Sequence, residues 1–380
     1  MKIAYLGVKG LPSKSGTERV LEAVVKRLAE KFDITVYCAS DYTPPDTKHE
    51  GIRLIRIPTL KGRHLKPISL GILSTLHAIF LGNYDIVHVH GVENCFLLPL
   101  LRLRYRAIST SHGAPGRMPL SKWSRTEHFL IRTTEYPFLY LSSYATAVSI
   151  MDKKYFQEQY KKKTIYIPNG VDQETEINHG AAQQVIASLG LAPHSFLLFI
   201  AGRIIERKGC HLLLEALDQL DEKIPVVIIG DMEQAPSYSQ KLTKLAHGHP
   251  VSFVPAIADK SILMGILGLC KIFVFPSTAE GMSIMLMEAA SLGIPMICSD
   301  IPENREVLDT HVTYFRSEDS VDLAKKISWA LENQKELESL AQFAREWTKE
   351  HFSWDLIAAK YELLYRKCMN GEAVDDASMM

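Results

Sequence analysis

Two glutamates, Glu280 and Glu288, stand seven residues apart by intervening count in the stretch EGMSIMLMEAASLGIP. Glu288 is surrounded by Ile284, Met285, Leu286, Met287, Ala289 and Ala290. A helix that is apolar nearly all round is buried, and an ionised carboxylate inside it is costly unless something polar satisfies it. A lone glutamate there would more often be a structural ion pair. Here Gly281, Met282 and Ser283 open the helix, and a glycine leaves backbone N–H groups accessible at a helix N-terminus, where an anion can bind. An anion site flanked by two hydroxyl-binding carboxylates describes a phosphorylated sugar.

A cationic partner for that anion lies upstream in FIAGRIIERKG, where a strand is followed by Gly202, Arg203, Lys208 and Gly209. A diphosphate leaving group gains negative charge as its bond to the sugar breaks. Fixed cations aimed at it stabilise the transition state more than the ground state. Arginine offers a planar fork for phosphate oxygens and lysine a point charge. A random pair of this kind would be solvated surface charge; the glycines on either side favour the binding reading. The chain contains no Asp-x-Asp, so side chains are expected to take the place of a divalent metal, with no cofactor.

These groups need rigid elements to hold them. Short β-branched runs alternate with helix-period segments along the whole chain: KIAYLGV, the helix TERVLEAVVKRLAEKF capped by Thr17, DITVYCAS, GIRLIRIP, a helix over 67–82, YDIVHVHG, a helix around 93–104, RAISTSHG and ATAVSI. The pattern pauses at IYIPNGVDQETEINHG and restarts with SFLLFIAGR, PVVIIGD, VSFVPA, KIFVFPS and PMICSD, with helices over 209–220, 237–246, 261–270 and 283–292. Alternation of this kind predicts α/β architecture with parallel sheets covered on both faces. Two such halves predict two doubly wound, Rossmann-like domains facing across a cleft, residues 1–172 and 173–352. Glu280 falls just past a strand end, the edge at which open α/β sheets bind ligands. His88 and His90 alternate along YDIVHVHG on one side of a strand; with no third ligand spaced nearby they read as packing or cleft lining.

The segments SKSGTERVLEAVVKRLAE, TSHG, IPNGVD, AGRIIERKG, EGMSIMLMEAASLGIP and SWDLIAAKYELLY, in this order and spacing, resemble the retaining glycosyltransferases of family 4, which have the GT-B fold. The resemblance spans nearly the whole chain. It implies that Glu280 grips the donor sugar, that Glu288 binds the nucleotide ribose, and that Arg203 and Lys208 bind the diphosphate. It further implies that His112 sits near the anomeric centre, and that reaction occurs on one face of the sugar with the leaving phosphate assisting deprotonation of the acceptor. The loop before Gly16 is similar to one that carries paired glycines near donor phosphate, although Ser15 here leaves only one. The final helix, 353–368, is expected to return to the first domain, leaving 369–380 as a disordered tail. Met232 and Val254-Pro255 stand where glycines are common in such enzymes, so UDP, GDP and dTDP remain open as the donor's nucleotide.

Composition limits the partners. With 43 basic and 43 acidic residues the formal net charge is zero, so no global field selects nucleic acid. The six cysteines are scattered without a C-x-x-C pair, which fits a reducing, cytoplasmic compartment. Neither a signal-peptide core nor a membrane span is evident. Basic residues gather in the first half, among them Lys61, Arg63, His64, Lys66, Arg102, Arg104, Arg106, Lys122 and Lys161 to Lys163. The segment FLLPLLRLRYR is amphipathic enough to lie peripherally on the inner face of an anionic membrane. The expected partners are therefore a nucleotide-diphosphate sugar, a glycan or lipid-linked acceptor, and an anionic membrane surface. A nucleotide-sugar 2-epimerase or a non-catalytic nucleotide-sugar-binding protein could share this architecture. A dehydrogenase fits less well, because GVKGLPS replaces G-x-G-x-x-G after the first strand.

Overall fold

The computed structural model describes residues 1–13, 16–62, 65–117, 125–172 and 174–374. The chain divides into two compact units, Met1–Gly170 with Trp354–Met380, and Val171–Ser353. Each is built on one sheet whose strands pair only in parallel.

The first sheet contains β1 (Lys2–Leu6), β2 (Asp33–Ala39), β3 (Ile52–Ile57), β4 (Ile86–His90), β5 (Arg106–Ser111), β6 (Tyr144–Ala147) and β7 (Ile165–Tyr166), in the order β3-β2-β1-β4-β5-β6-β7. The second contains β8 (Leu197–Arg203), β9 (Val226–Asp231), β10 (Val251–Val254), β11 (Ile272–Phe275), β12 (Met296–Ser299) and β13 (Thr313–Phe315), in the order β10-β9-β8-β11-β12-β13. Central strands bury almost every residue, as helical crossovers on both faces require. In each sheet the chain first runs outward on one side of its first strand, then jumps back and runs outward on the other. The reversals fall between β1 and β4 and between β8 and β11, and at such points the loops at the carboxyl ends of the strands diverge to leave a ligand-binding crevice.

A glycine at each reversal permits close backbone approach. Gly7 has φ +85°, and a Cβ there would lie 2.2 Å from the His90 carbonyl oxygen. Gly209 has φ +70°, and a Cβ there would lie 1.9 Å from the Pro276 carbonyl oxygen. No side chain fits either gap.

The helix Trp354–Asn370 belongs to the first unit. Its Tyr365 hydroxyl lies 2.9 Å from that of Tyr5 and 2.7 Å from Nδ1 of His88, both on the sheet. Arg27–Asp355 and Lys31–Glu362 ion pairs, each 2.6 Å, join the same helix to Gly16–Leu28 and the residues just after it. The helix runs to Asn370, so the expected tail begins two residues inside it; residues 375–380 lie outside the described residues, as do Ser15, Arg63, His64 and Lys122.

Other boundaries differ from the sequence reading for local reasons. The first helix begins at Gly16, which places Thr17 inside it and not at its cap. The helix expected around 93–104 is a 3₁₀ turn over Val92–Leu97 followed by Leu98–Leu101, because Pro99 has no N–H to continue the preceding turn and is tolerated only in the first turn of a new helix, here just after Leu98. The alternation also passes over Pro302–Leu308, Ser320–Glu332 and Gln334–His351. In the last of these the buried face is Leu337, Ala341, Ala344 and Thr348, small residues that give little hydrophobic signal.

Tyr365→Phe removes one hydroxyl that serves two buried partners. It is expected to lower the stability of the chain by about 1–3 kcal/mol, read as a lower urea midpoint with an unchanged slope.

Candidate functional site

In the second unit, Gly209 lets the 3₁₀ turn Glu206–Lys208 lie against the loop that follows β11. Thr278 donates its backbone N–H to the Arg207 carbonyl at 2.8 Å, and Arg207 Nη1 donates to the Ala279 carbonyl at 2.9 Å. These cross-links carry Lys208 to Glu280, where Nζ and Oε1 meet at 2.5 Å. Arg207 Nη1 stands 3.9 Å from the other carboxylate oxygen. Glu280 is only 7% exposed. Burial pushes its carboxyl upward, but the Lys208 and Arg207 charges, with hydrogen bonds from Lys208 and Ser277, outweigh burial and hold it below its ordinary range. It is a carboxylate at neutral pH.

The helix Ile284–Ser291 starts at Ser283, whose Oγ accepts the Leu286 N–H at 3.3 Å. Eight residues on from Glu280, Glu288 points into the unit, 1% exposed. Its counter-ion is Lys260, 2.9 Å from Oε1, at the start of the helix Lys260–Leu269. The same ammonium lies 3.3 Å from Asp172. Arg203 ends β8 and Gly202 precedes it, both exposed. A Cβ at Gly202 would meet nothing within 4 Å, so packing within the protein does not demand glycine there. Met282 is buried, and Gly281 beside it is half-buried. Lys208 and Glu280 are thus brought together as an ion pair, while Glu288 pairs with Lys260, whose ammonium Asp172 shares.

Sequence reasoning missed Arg207, Lys260 and Asp172. Arg207 was legible in ERKG beside Lys208. Lys260 sits after the VSFVPA strand with no spacing that ties it to Glu288; only folding joins them.

In the first unit, β4 and β5 place three histidines together. His90 Nδ1 lies 2.9 Å from His112 Nε2, with the two rings nearly parallel. His88, two residues back on β4, bonds Tyr365 through Nδ1 and the Thr110 hydroxyl through Nε2, both at 2.7 Å. Burial lowers all three imidazoles: His88 to about 3, His112 to about 4, and His90 well below its ordinary value. All are neutral at neutral pH. Two buried carboxylates pin the loop that follows His112. Asp152 binds Arg117 at 2.7 Å and Ser111 Oγ at 3.1 Å, and Glu135 accepts the Gly116 N–H at 2.8 Å. The loop after β1 is tied down over its described part. Lys9 and Ser13 donate backbone N–H groups to Glu18 and Glu22 at 3.2 and 2.9 Å. Gly16 opens the helix beyond it, with open space where a Cβ would sit.

Two family profiles match the chain along most of its length: Glycosyltransferase Family 4 over residues 14–175 and Glycosyl transferases group 1 over residues 183–347. The chain belongs to the family 4 glycosyltransferases. The enzyme is 27% identical to the UDP-Gal:alpha-D-GlcNAc-diphosphoundecaprenol alpha-1,3-galactosyltransferase of Escherichia coli, over 80% of this chain and 81% of that one. Its fold is similar to that of sucrose-phosphate synthase from Thermosynechococcus elongatus, with a TM-score of 0.83, 19% identity, and coverage of 98% of this chain and 100% of that one. The Anabaena protein HepE, solved in complex with UDP and glucose, aligns with a TM-score of 0.78 and 19% identity over 97% and 100%. These structures share the GT-B architecture of two doubly wound units.

The histidine cluster sets an acid limit on the glycosyltransferase. An imidazole whose pKa is depressed by folding contributes stability that is complete above its ordinary value and is lost as pH falls toward the folded value. For His112 that window runs from 6.5 down to about 4. Asp152, raised by burial, acts in the opposite direction just above its ordinary range, and is a single group against three. Urea unfolding is therefore expected to show stability falling between pH 6.5 and 4 by at least about 1.4 kcal/mol, one unit of one group. The loss should shrink in a His88→Gln variant.

Proposed function

We propose that this glycosyltransferase moves a hexose-type sugar, with retention, from a nucleotide-diphosphate sugar to a glycan or lipid-linked acceptor in surface polysaccharide or glycolipid assembly. The observation that carries the reading is the Lys208–Glu280 ion pair at the β8/β11 reversal, a cation and a carboxylate held side by side where such sheets bind ligands. A UDP-sugar is the first candidate donor, since the galactosyltransferase relative is named for one and HepE is solved with UDP and glucose.

In this reading Lys208, with Arg203, binds the diphosphate. The anomeric C–O bond breaks and its electron pair goes to the phosphate oxygen, where fixed positive charge stabilises the transition state more than the bound donor. The acceptor hydroxyl bonds to the anomeric carbon on the same face and passes its proton to the departing phosphate. Glu280, ionised beside its cations, accepts hydrogen bonds from sugar hydroxyls. Glu288 accepts those of the ribose, next to Lys260. The open space above Gly202 supports close approach of a phosphate, and N–H groups at Gly281, Met282 and Ser283 supply further donors. Within the first unit, His112 hydrogen-bonds a sugar hydroxyl.

UDP-, GDP- and dTDP-sugars are to be screened by thermal protection, with turnover measured for the best. Lys208→Met is expected to lower kcat by about 10²–10³, and activity is expected to survive EDTA. Loss on chelation with recovery on adding Mn²⁺ would sink the metal-independent scheme. Isomerisation of the donor without acceptor would replace transfer with epimerisation.

An anionic membrane is the proposed docking surface, on the cytoplasmic side. The helix Leu65–Leu81 turns Ser69, Leu70, Gly71, Ser74, Thr75 and Ala78 inward, only one of them large and apolar, and leaves Leu65, Ile68, Ile72, Leu76 and Phe80 exposed. Phe96, Leu100 and Leu103 in the neighbouring segment are exposed too. Among the described residues, 16 of the 20 exposed large hydrophobics lie between residues 60 and 141, a concentration that scattered surface residues do not produce. Arg102, Arg104 and Arg106 border it, each worth about 1 kcal/mol near anionic lipid. Among the described residues no helix is long and apolar enough to cross a membrane. Sedimentation is expected with phosphatidylglycerol vesicles and to fall in an Ile68→Glu, Phe80→Glu variant that keeps its melting temperature. Equal sedimentation of both proteins would exclude this face.

A further inference from the structure

The cluster of His88, His90 and His112 in the first unit contains a feature that the functional reading does not use. His90 ends β4 and is 3% exposed. It pairs with Thr110 of β5 in the strand register, and His112 follows two residues later on the same side of that strand. The Nδ1–Nε2 contact of 2.9 Å fixes how both rings are turned. Flipping either would bring a C–H where a ring nitrogen now stands. Underneath, His88 is clamped by the Tyr365 and Thr110 hydroxyls, and the His90 ring rests 4.4 Å above it, centre to centre.

Burial keeps both imidazoles neutral, so each carries one proton, and the contact between them needs one donor and one acceptor. Two arrangements satisfy it. In one, His112 donates from Nε2 and His90 accepts at Nδ1; the His90 proton then sits on Nε2. That nitrogen is buried and has no partner among the described residues, so a buried N–H would be orphaned at a cost of about 1–3 kcal/mol. In the other, His90 donates from Nδ1, and only a lone pair is left unused at Nε2. Orphaned buried N–H groups are the rarer and costlier defect.

We propose that His90 donates its Nδ1–H to Nε2 of His112 and thereby fixes His112 as the Nδ1–H tautomer. His112 then offers a hydrogen-bond donor, and no acceptor, to whatever approaches its Nδ1. The group that it recognises must present an oxygen lone pair, as a sugar hydroxyl does. His112 cannot serve as a base toward the acceptor, because its one unprotonated nitrogen is occupied by His90. His90 is a positioning residue; its effect on turnover rests on the reading of His112 given above, whereas the tautomer does not.

The test is long-range ¹H–¹⁵N spectroscopy on the full chain labelled with ¹⁵N-histidine, with His112 assigned through a His112→Asn variant. The expected spectrum shows a protonated Nδ1 and a bare Nε2 for His112 at pH 7. His90→Asn, whose amide nitrogen occupies nearly the place of Nδ1, should keep that pattern; His90→Leu should give a mixture of tautomers. In turnover, His90→Leu is expected to lower kcat by about fivefold to tenfold, the worth of one hydrogen bond, and His90→Asn to recover most of it. A protonated Nε2 on wild-type His112 overturns the proposal whether or not any sugar is transferred. An unchanged tautomer in His90→Leu overturns the role of His90. Should that variant fail to fold, the wild-type and His90→Asn spectra still decide. A correct tautomer in a protein that transfers no sugar would instead count against the functional reading.

Discussion

The second unit is organised around the approach of two backbones, the turn at Gly209 and the carbonyl of Pro276. Any side chain at Gly209 would overlap that carbonyl, so the residue is both a conformational and a steric necessity. What the approach yields is charge placement. It lets Arg207 lock onto the β11 loop and sets Lys208 against a buried Glu280. Removing the Lys208 charge would leave the buried Glu280 with Arg207, 3.9 Å away, as its remaining counter-ion, and stripping a partner from a buried charge costs more than the net worth of the pair. The site is held in an ionised state before any ligand arrives, and a group that is already charged and oriented needs no reorganisation as negative charge develops nearby.

The first unit applies the same topology to different chemistry. Gly7 closes against the His90 carbonyl as Gly209 does against Pro276, yet the reversal between β1 and β4 carries neutral hydrogen-bonding groups. Tyr5, His88, Thr110, Thr146, Tyr361 and Tyr365 form a buried polar layer between the sheet and the C-terminal helix. Such a layer specifies register, because every displaced hydroxyl would strand a partner. The helix that completes this unit is therefore fastened by directional bonds, and the imidazoles at its edge inherit a defined orientation.

Much of this was legible without coordinates. The βα alternation, the two halves and the placement of Glu280 just past a strand end follow from period-two and period-3.6 patterning, which is local. So does the helix around Glu288, since an apolar run with a glycine at its end reads directly as a buried helix. Local chemistry also accounts for the misplaced boundaries: Pro99 divides a segment that periodicity alone would join, and the small buried face of Gln334–His351 gives little for periodicity to detect. The four residues expected to bind one donor, Arg203, Lys208, Glu280 and Glu288, differ in the partners that the fold gives them. Lys208 and Glu280 do meet, whereas Glu288 is answered by Lys260, a residue to which no sequence spacing points.

By itself the order of residues determined the kinds of group available: two carboxylates seven residues apart, cations beside glycines, and strand-end positions for Glu280 and Arg203. These depend on residue type and on contacts within a few positions along the chain. Tertiary structure alone decided the pairings, Lys208 with Glu280, Lys260 with Glu288 and His90 with His112, and hence which groups are charged and which nitrogen carries a proton. Ionisation and tautomer respond to burial and to neighbours within a few ångströms, and those neighbours come from strands and helices that only the sheet order brings together.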